Sequence, residues 1–177
     1  KGGFTPSDFP SVAFSQTELD RILHRLRHEQ SRLNIETIYP LAPLQQAFLW
    51  HGLQTSVQAG LLHVRGTLHG QLDRLTFQQA WQQIIARHGA LRTAVYWEDI
   101  KQPVQVVNET VQLPLQYLDW RTKDDPEQAI ADFLERGRAQ GFNLTQAPIL
   151  RLTLIQLSDN RQELIWTCHH LTLDGWS

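Results

Sequence analysis

Methionine is missing from all 177 residues, position 1 included. A free-standing translation product begins with one unless it is processed, so the expectation is a piece of a longer polypeptide. Cysteine occurs once, as Cys168. That excludes an internal disulfide and fits a reducing, cytoplasmic compartment. Long apolar runs are also lacking, and none approaches the ~20 residues of a membrane-spanning helix. The opening residues, Lys1-Gly2-Gly3-Phe4-Thr5-Pro6, are polar and turn-rich and do not resemble a signal peptide. Neither sign of charge dominates: the formal net charge is -2, which makes no case for nucleic acid or an anionic membrane as a partner. With 41% hydrophobic and 19% charged residues, the chain has enough apolar material for a core. Its length suits one large domain or one lobe of a bigger one.

The first ~14 residues, with Gly2, Gly3, Pro6 and Pro10 and no periodicity, read as a linker. Ser15-Gln16-Thr17-Glu18 is a capping box that starts a helix, and Leu19, Ile22, Leu23 and Leu26 fall on one stripe of it. Asn34 to Pro40 reads as extended. Pro43 opens a helix to about Leu53, with Leu44, Ala47, Phe48 and His51 on one face. Gly60 to His69 reads as a strand. The next helix runs from about Asp73 to His88, with Phe77, Trp81, Ile84, Ile85 and His88 at helical spacing. Leu91 to Glu98 and Pro103 to Val107 read as a hairpin around Asp99 to Gln102, and Leu113 to Leu118 as a short strand. Asp125-Pro126 opens a further helix ending near Gly141, with Ile130, Phe133 and Leu134 as its buried stripe. Ile149 to Leu157 and Gln162 to His169 are strands joined by a turn at Ser158 to Arg161. The second is apolar enough to be central. This mixture predicts an α/β architecture, a mixed and mainly antiparallel sheet flanked by helices.

The last nine residues, His169-His170-Leu171-Thr172-Leu173-Asp174-Gly175-Trp176-Ser177, carry the chemistry. An imidazole, with an ordinary pKa near ~6.5, suits proton transfer at neutral pH. His170 is the candidate. It either accepts a proton from an attacking amine or orients that amine and stabilises the charged intermediate. Neighbouring side chains on a strand point to opposite faces, so His169 and His170 should not share a task, and the pair makes a poor two-histidine metal site. Asp174 lies four residues on and is able to fold back. A buried aspartate needs a partner, and an arginine holding the loop is the expected one. Gly175 permits close backbone approach, and its N–H suits a developing oxyanion.

This string resembles the H-H-x-x-x-D-G signature of condensation domains, the peptide-bond-forming units of nonribosomal peptide synthetases. Two further segments carry the resemblance. Ile38-Tyr39-Pro40-Leu41-Ala42-Pro43-Leu44-Gln45-Gln46-Ala47-Phe48-Leu49-Trp50-His51 resembles the family's first motif, an extended entry followed by a helix. Arg87-His88-Gly89-Ala90-Leu91-Arg92-Thr93 resembles its second, R-H-E-x-L-R-T, with Gly89 where the family usually has glutamate. A glycine there weakens the helix end or fits a C-cap. Arg87 and Arg92 match arginines regarded as structural support, and Arg92 is the first choice as partner of Asp174. The resemblance spans Asn34 to Ser177. The stretch before it, residues 1–33, resembles the linker joining an upstream carrier protein domain to a condensation domain.

The resemblance implies the N-terminal lobe of a chloramphenicol-acetyltransferase-like pair, with the C-terminal lobe absent and the isolated lobe inactive or nearly so. An exposed apolar patch is expected where the second lobe would dock. Upstream and downstream carrier protein domains would present donor and acceptor thioesters on phosphopantetheine arms, beside a neighbouring adenylation domain. No metal and no directly bound cofactor are implied. Alternatives of nearby chemistry are an epimerising relative, a coenzyme A-dependent acyltransferase with an H-x-x-x-D site, and a non-catalytic recruitment platform.

Overall fold

A computed structural model describes residues 3–29, 35–54 and 60–173. Within them four helices, α1 (Gln16–Glu29), α2 (Pro43–Gln54), α3 (Arg74–Arg87) and α4 (Pro126–Gln140), are interspersed with seven strands. The strands are β1 (Ile35–Pro40), β2 (Leu61–His69), β3 (Thr93–Tyr96), β4 (Val104–Asn108), β5 (Leu115–Asp119), β6 (Leu150–Ser158) and β7 (Arg161–His169).

The expected mixed sheet is divided in two. A three-stranded sheet runs β1-β4-β3, antiparallel throughout. A four-stranded sheet runs β2-β7-β6-β5, with β5 and β6 as its parallel pair. That pair needs a crossover, and α4 supplies it. The apolar β7 is central, between β2 and β6.

The segment before α1, which lacks periodicity, is nonetheless packed. Phe9 and Val12 are buried in one cluster with Leu19, Ile22, Leu23 and Leu26 of α1 and Ile35, Ile38, Tyr96 and Val104 of the three-stranded sheet. Irregular backbone shows no period to read, so this burial had no local sign. The capping box forms as the spacing predicts: the Glu18 carboxylate accepts from the Ser15 N–H (2.9 Å) and hydroxyl (2.7 Å). It also accepts from the Lys101 N–H at 3.1 Å, tying α1 to the β3–β4 turn. These donors, Ser15 first, hold Glu18 down at about 2. Arg25 adds ion pairs to Glu98 (2.8 Å) and Asp99 (2.9 Å) in that turn.

α3 covers one face of the four-stranded sheet, with Ile85 and Trp81 against Leu150, Leu152 and Trp166. α4 covers the other, with Ile130, Phe133 and Leu134 against Ile155 and Ile165. Two stripes differ from expectation. On α2 the buried residue is Leu49, while Leu44 is 60% exposed. On α3, Ile84 and His88 face outward. Helical spacing says which residues share a face, not which face is covered.

Candidate active site

The histidine pair ends β7. His169 is still in the sheet, in register with Leu61 of β2, and only 3% exposed. His170 is the first residue beyond the strand and is partly exposed. The two rings therefore have different surroundings, as the alternation of a strand requires. Nδ1 of His169 accepts the Leu171 N–H at 3.1 Å, which leaves its proton on Nε2. Its carbonyl takes the Thr172 N–H (2.9 Å) and hydroxyl (3.0 Å), closing a tight turn.

His170 has a different set of partners. Its N–H donates to the Gly60 carbonyl at 2.8 Å. Nδ1 lies 3.2 Å from the Leu173 carbonyl. A carbonyl only accepts, so this contact needs the proton on Nδ1, and in the neutral ring the lone pair then lies on Nε2. The ring stacks on Phe48 of α2, centroids 5.2 Å apart and planes within 12°.

The residue that follows the histidine pair is an anchor. Leu171 is 1% exposed and packs with Leu41, Leu49, Val95 and Ile149. Its carbonyl accepts from Nε2 of Gln45 at 2.6 Å, while Oε1 of Gln45 takes the Ala42 N–H at 2.8 Å at the start of α2. Residues of α2, where the first motif runs into the helix, thus grip the histidine loop twice, through Gln45 and Phe48. The sequence presented both as parts of a motif running into a proline-started helix; the grip comes from α2 lying beside the end of β7. Gly60 and Leu173 were likewise not legible as contacts of the pair.

Asp174, Gly175, Trp176 and Ser177 lie outside the described residues. Arg87 is exposed at the last turn of α3. Arg92 is buried: it pairs with Glu36 at 2.5 Å and donates to the carbonyls of Ile85 (3.2 Å), Asn108 and Glu109 (3.2 Å). Its own carbonyl accepts from the Asn108 side chain at 3.0 Å. These bonds commit Arg92 to the junction of α3, β1 and β4. The residue capping α3 is His88, not Gly89, and a Cβ built on Gly89 would meet Val107 at 3.4 Å and Nη2 of Arg92 at 3.9 Å. The glutamate usual in the second motif would therefore stand against this guanidinium.

A cavity of about 700 Å³ lies elsewhere, under α4, lined by His63, Gln116, Phe133, Arg151 and Thr167 among others. Nδ1 of His63 is 2.9 Å from the Thr167 hydroxyl, and Nε2 has no partner. Burial first, then Arg138 and Arg151, holds His63 below its ordinary 6.5. At the histidine loop, by contrast, the imidazole of His170 is oriented by a carbonyl, stacked on a ring and partly exposed. Burial pushes the Cys168 thiol up to about 11, which removes it as a nucleophile. Among the described residues no three His, Cys, Asp or Glu side chains are grouped to hold a metal, and no helix is long and apolar enough to cross a membrane.

The described residues thus combine two sheets, a crossover helix and a histidine at the end of a central strand. Among solved structures, the starter condensation domain of rhizomide synthetase superposes with a TM-score of 0.71 at 22% identity, over 80% of this chain and 36% of that one. The first condensation domain of the calcium-dependent antibiotic synthetase gives 0.70 at 19%, over 78% and 34%. The fold is chloramphenicol-acetyltransferase-like, as in those domains. The family model described as Condensation domain matches residues 35–177, and the chain belongs to that family. A linear gramicidin synthase polypeptide of Brevibacillus parabrevis is 38% identical over 179 residues, 99% of this chain and 2% of that protein. Bacitracin synthase 3 of Bacillus licheniformis is 32% identical over 176 residues, 98% and 3%. The chain thus spans a few hundredths of the length of these relatives. The family is that of the peptide-bond-forming domains of nonribosomal peptide synthetases.

Proposed function

We propose that this chain supplies the histidine-bearing wall of a condensation site, where Nε2 of His170 receives the proton of an attacking amine. The observation that carries the reading is the fixed tautomer: with Nδ1–H held by the Leu173 carbonyl, the lone pair of Nε2 is available as a base. The substrates are an acyl or peptidyl thioester and an aminoacyl thioester, each on the phosphopantetheine arm of a carrier protein domain. The amine nitrogen attacks the thioester carbon, a C–N bond forms and the C–S bond breaks. The electron pair leaves with the donor sulfur, and the amine proton passes through His170 to that thiolate.

His169 packs behind the loop and keeps it in shape. In this reading Asp174 holds the loop's far end and the Gly175 N–H donates to the oxyanion. Arg92 supports the α3 junction, and Arg87 places a cation at the C-terminal end of α3. Tyr39, Leu44, Trp50 and Leu53 are apolar and 44–60% exposed on and beside α2. These exposed apolar side chains are assigned to contact with a second lobe, without which coupling is slow. The carrier and adenylation domains are neighbours in the same synthetase.

The test is His170→Ala in the polypeptide that carries this chain with its second lobe and both loaded carriers. General-base catalysis contributes roughly 10²–10⁴-fold, so the dipeptidyl thioester seen by mass spectrometry should form at least about 100-fold more slowly. Coupling at the unaltered rate would overturn the assignment. Equal use of free coenzyme A thioesters as donors would favour a coenzyme A-dependent acyltransferase instead.

A further inference from the structure

We infer that Gly60 is a positioning residue for the histidine pair, and that a side chain there would displace the reactive imidazole. The inference rests on the reading of His170 just given. Gly60 precedes β2 and touches both histidines. Its carbonyl holds the His170 N–H at 2.8 Å. Its missing side chain makes room for the other ring: a Cβ built on Gly60 would lie 2.8 Å from Cε1 of His169, 3.1 Å from Nε2 and 3.3 Å from Nδ1. Gly60 also has φ +95°, in the region where a Cβ is disfavoured.

The ring of His169 has nowhere to retreat. It is 3% exposed, and its Nδ1 holds the N–H of Leu171, which is itself buried. Carbon atoms prefer about 3.5–4.0 Å, so a methyl group at position 60 must move the imidazole or its own backbone by roughly 1 Å. Either movement reaches His170, because His169 precedes it directly and the Gly60 carbonyl holds its N–H. A displacement of about 1 Å in an aligned site costs on the order of 100-fold in rate.

The experiment is Gly60→Ala, alone and combined with His169→Ala, read in two ways. In the coupling assay, Gly60→Ala should lower kcat about 100-fold with KM for the carriers little changed, and the loss should shrink when His169 is also alanine. If the cost came only from the backbone angle, the fold loss would be the same in both backgrounds, and the steric inference would be overturned. In the full chain labelled with ¹⁵N-histidine, the ring nitrogens of His169 and His170 should shift in Gly60→Ala. Unmoved ring resonances in a folded variant would also overturn it. If Gly60→Ala does not fold, recovery of the fold by adding His169→Ala supports the inference and failure to recover refutes it. The nitrogen spectra do not depend on coupling activity. Failure of the His170 assignment, seen as an active His170→Ala, is therefore distinguishable from failure of this inference.

Discussion

Replacing Gln45 by leucine tests whether α2 holds the histidine loop. Leucine is close in volume, so no large cavity opens, and three hydrogen bonds go. The Ala42 N–H sits at an exposed residue, where water takes the place of Oε1 at little cost. The bond to Gln105, at 3.4 Å, is long and weak. The third bond, Nε2 to the Leu171 carbonyl at 2.6 Å, is the one that matters. Leu171 is 1% exposed, so its carbonyl is left without a partner away from water. That costs about 1–3 kcal/mol. For a domain of this size each kcal/mol moves the midpoint about 2–4 °C, so the melting temperature should fall by about 2–12 °C. Thermal unfolding followed by circular dichroism, with urea midpoints alongside, measures it. Coupling by the intact domain should slow as well, since residue 171 follows His170. A Gln45→Leu variant melting within about 1 °C of the parent would show that water already serves this carbonyl, and the tether argument would be wrong.

Gly89→Glu should stabilise the chain. A side chain fits there at ordinary contact distance and faces Arg92, and removing a glycine from a compatible position contributes about 0.4–1 kcal/mol through the unfolded chain. A urea midpoint that rises for Gly89→Glu, but less in an Arg92→Leu background, is the expected result. His63 should make stability depend on mild acid. Its folded value is depressed below 6.5, so the unfolded chain binds the proton more readily. The stability it contributes is full above about 6.5 and declines as pH falls below that value. Urea unfolding at about pH 7.5 and about pH 5.5 should show a larger loss for the parent chain than for His63→Gln, and equal losses would refute the assignment.

Local pattern carried much of the architecture. The capping box at Ser15, the apolar stripe of α1, the proline starts of α2 and α4 and the alternation along β6 depend on neighbours within a few residues, so they are legible in one dimension. The order of strands is not, because β2 pairs with the distant β7 and β5 pairs in parallel with β6 through α4. The H-H-x-x-x-D-G string, with its two companion motifs, sufficed to mark the region of interest and its family. It did not reveal that Phe48 stacks on one histidine or that Gly60 leaves space for the other.

From its own amino acids this chain determined its helices, most of its strands and the chemical identity of its imidazole, since backbone preference and side-chain chemistry are local. Tertiary structure alone decided which ring is enclosed and which meets solvent, and which nitrogen keeps its proton. Those outcomes depend on the carbonyl of Leu173, the ring of Phe48 and the bare Cα of Gly60, and only packing brings all three to the end of one strand.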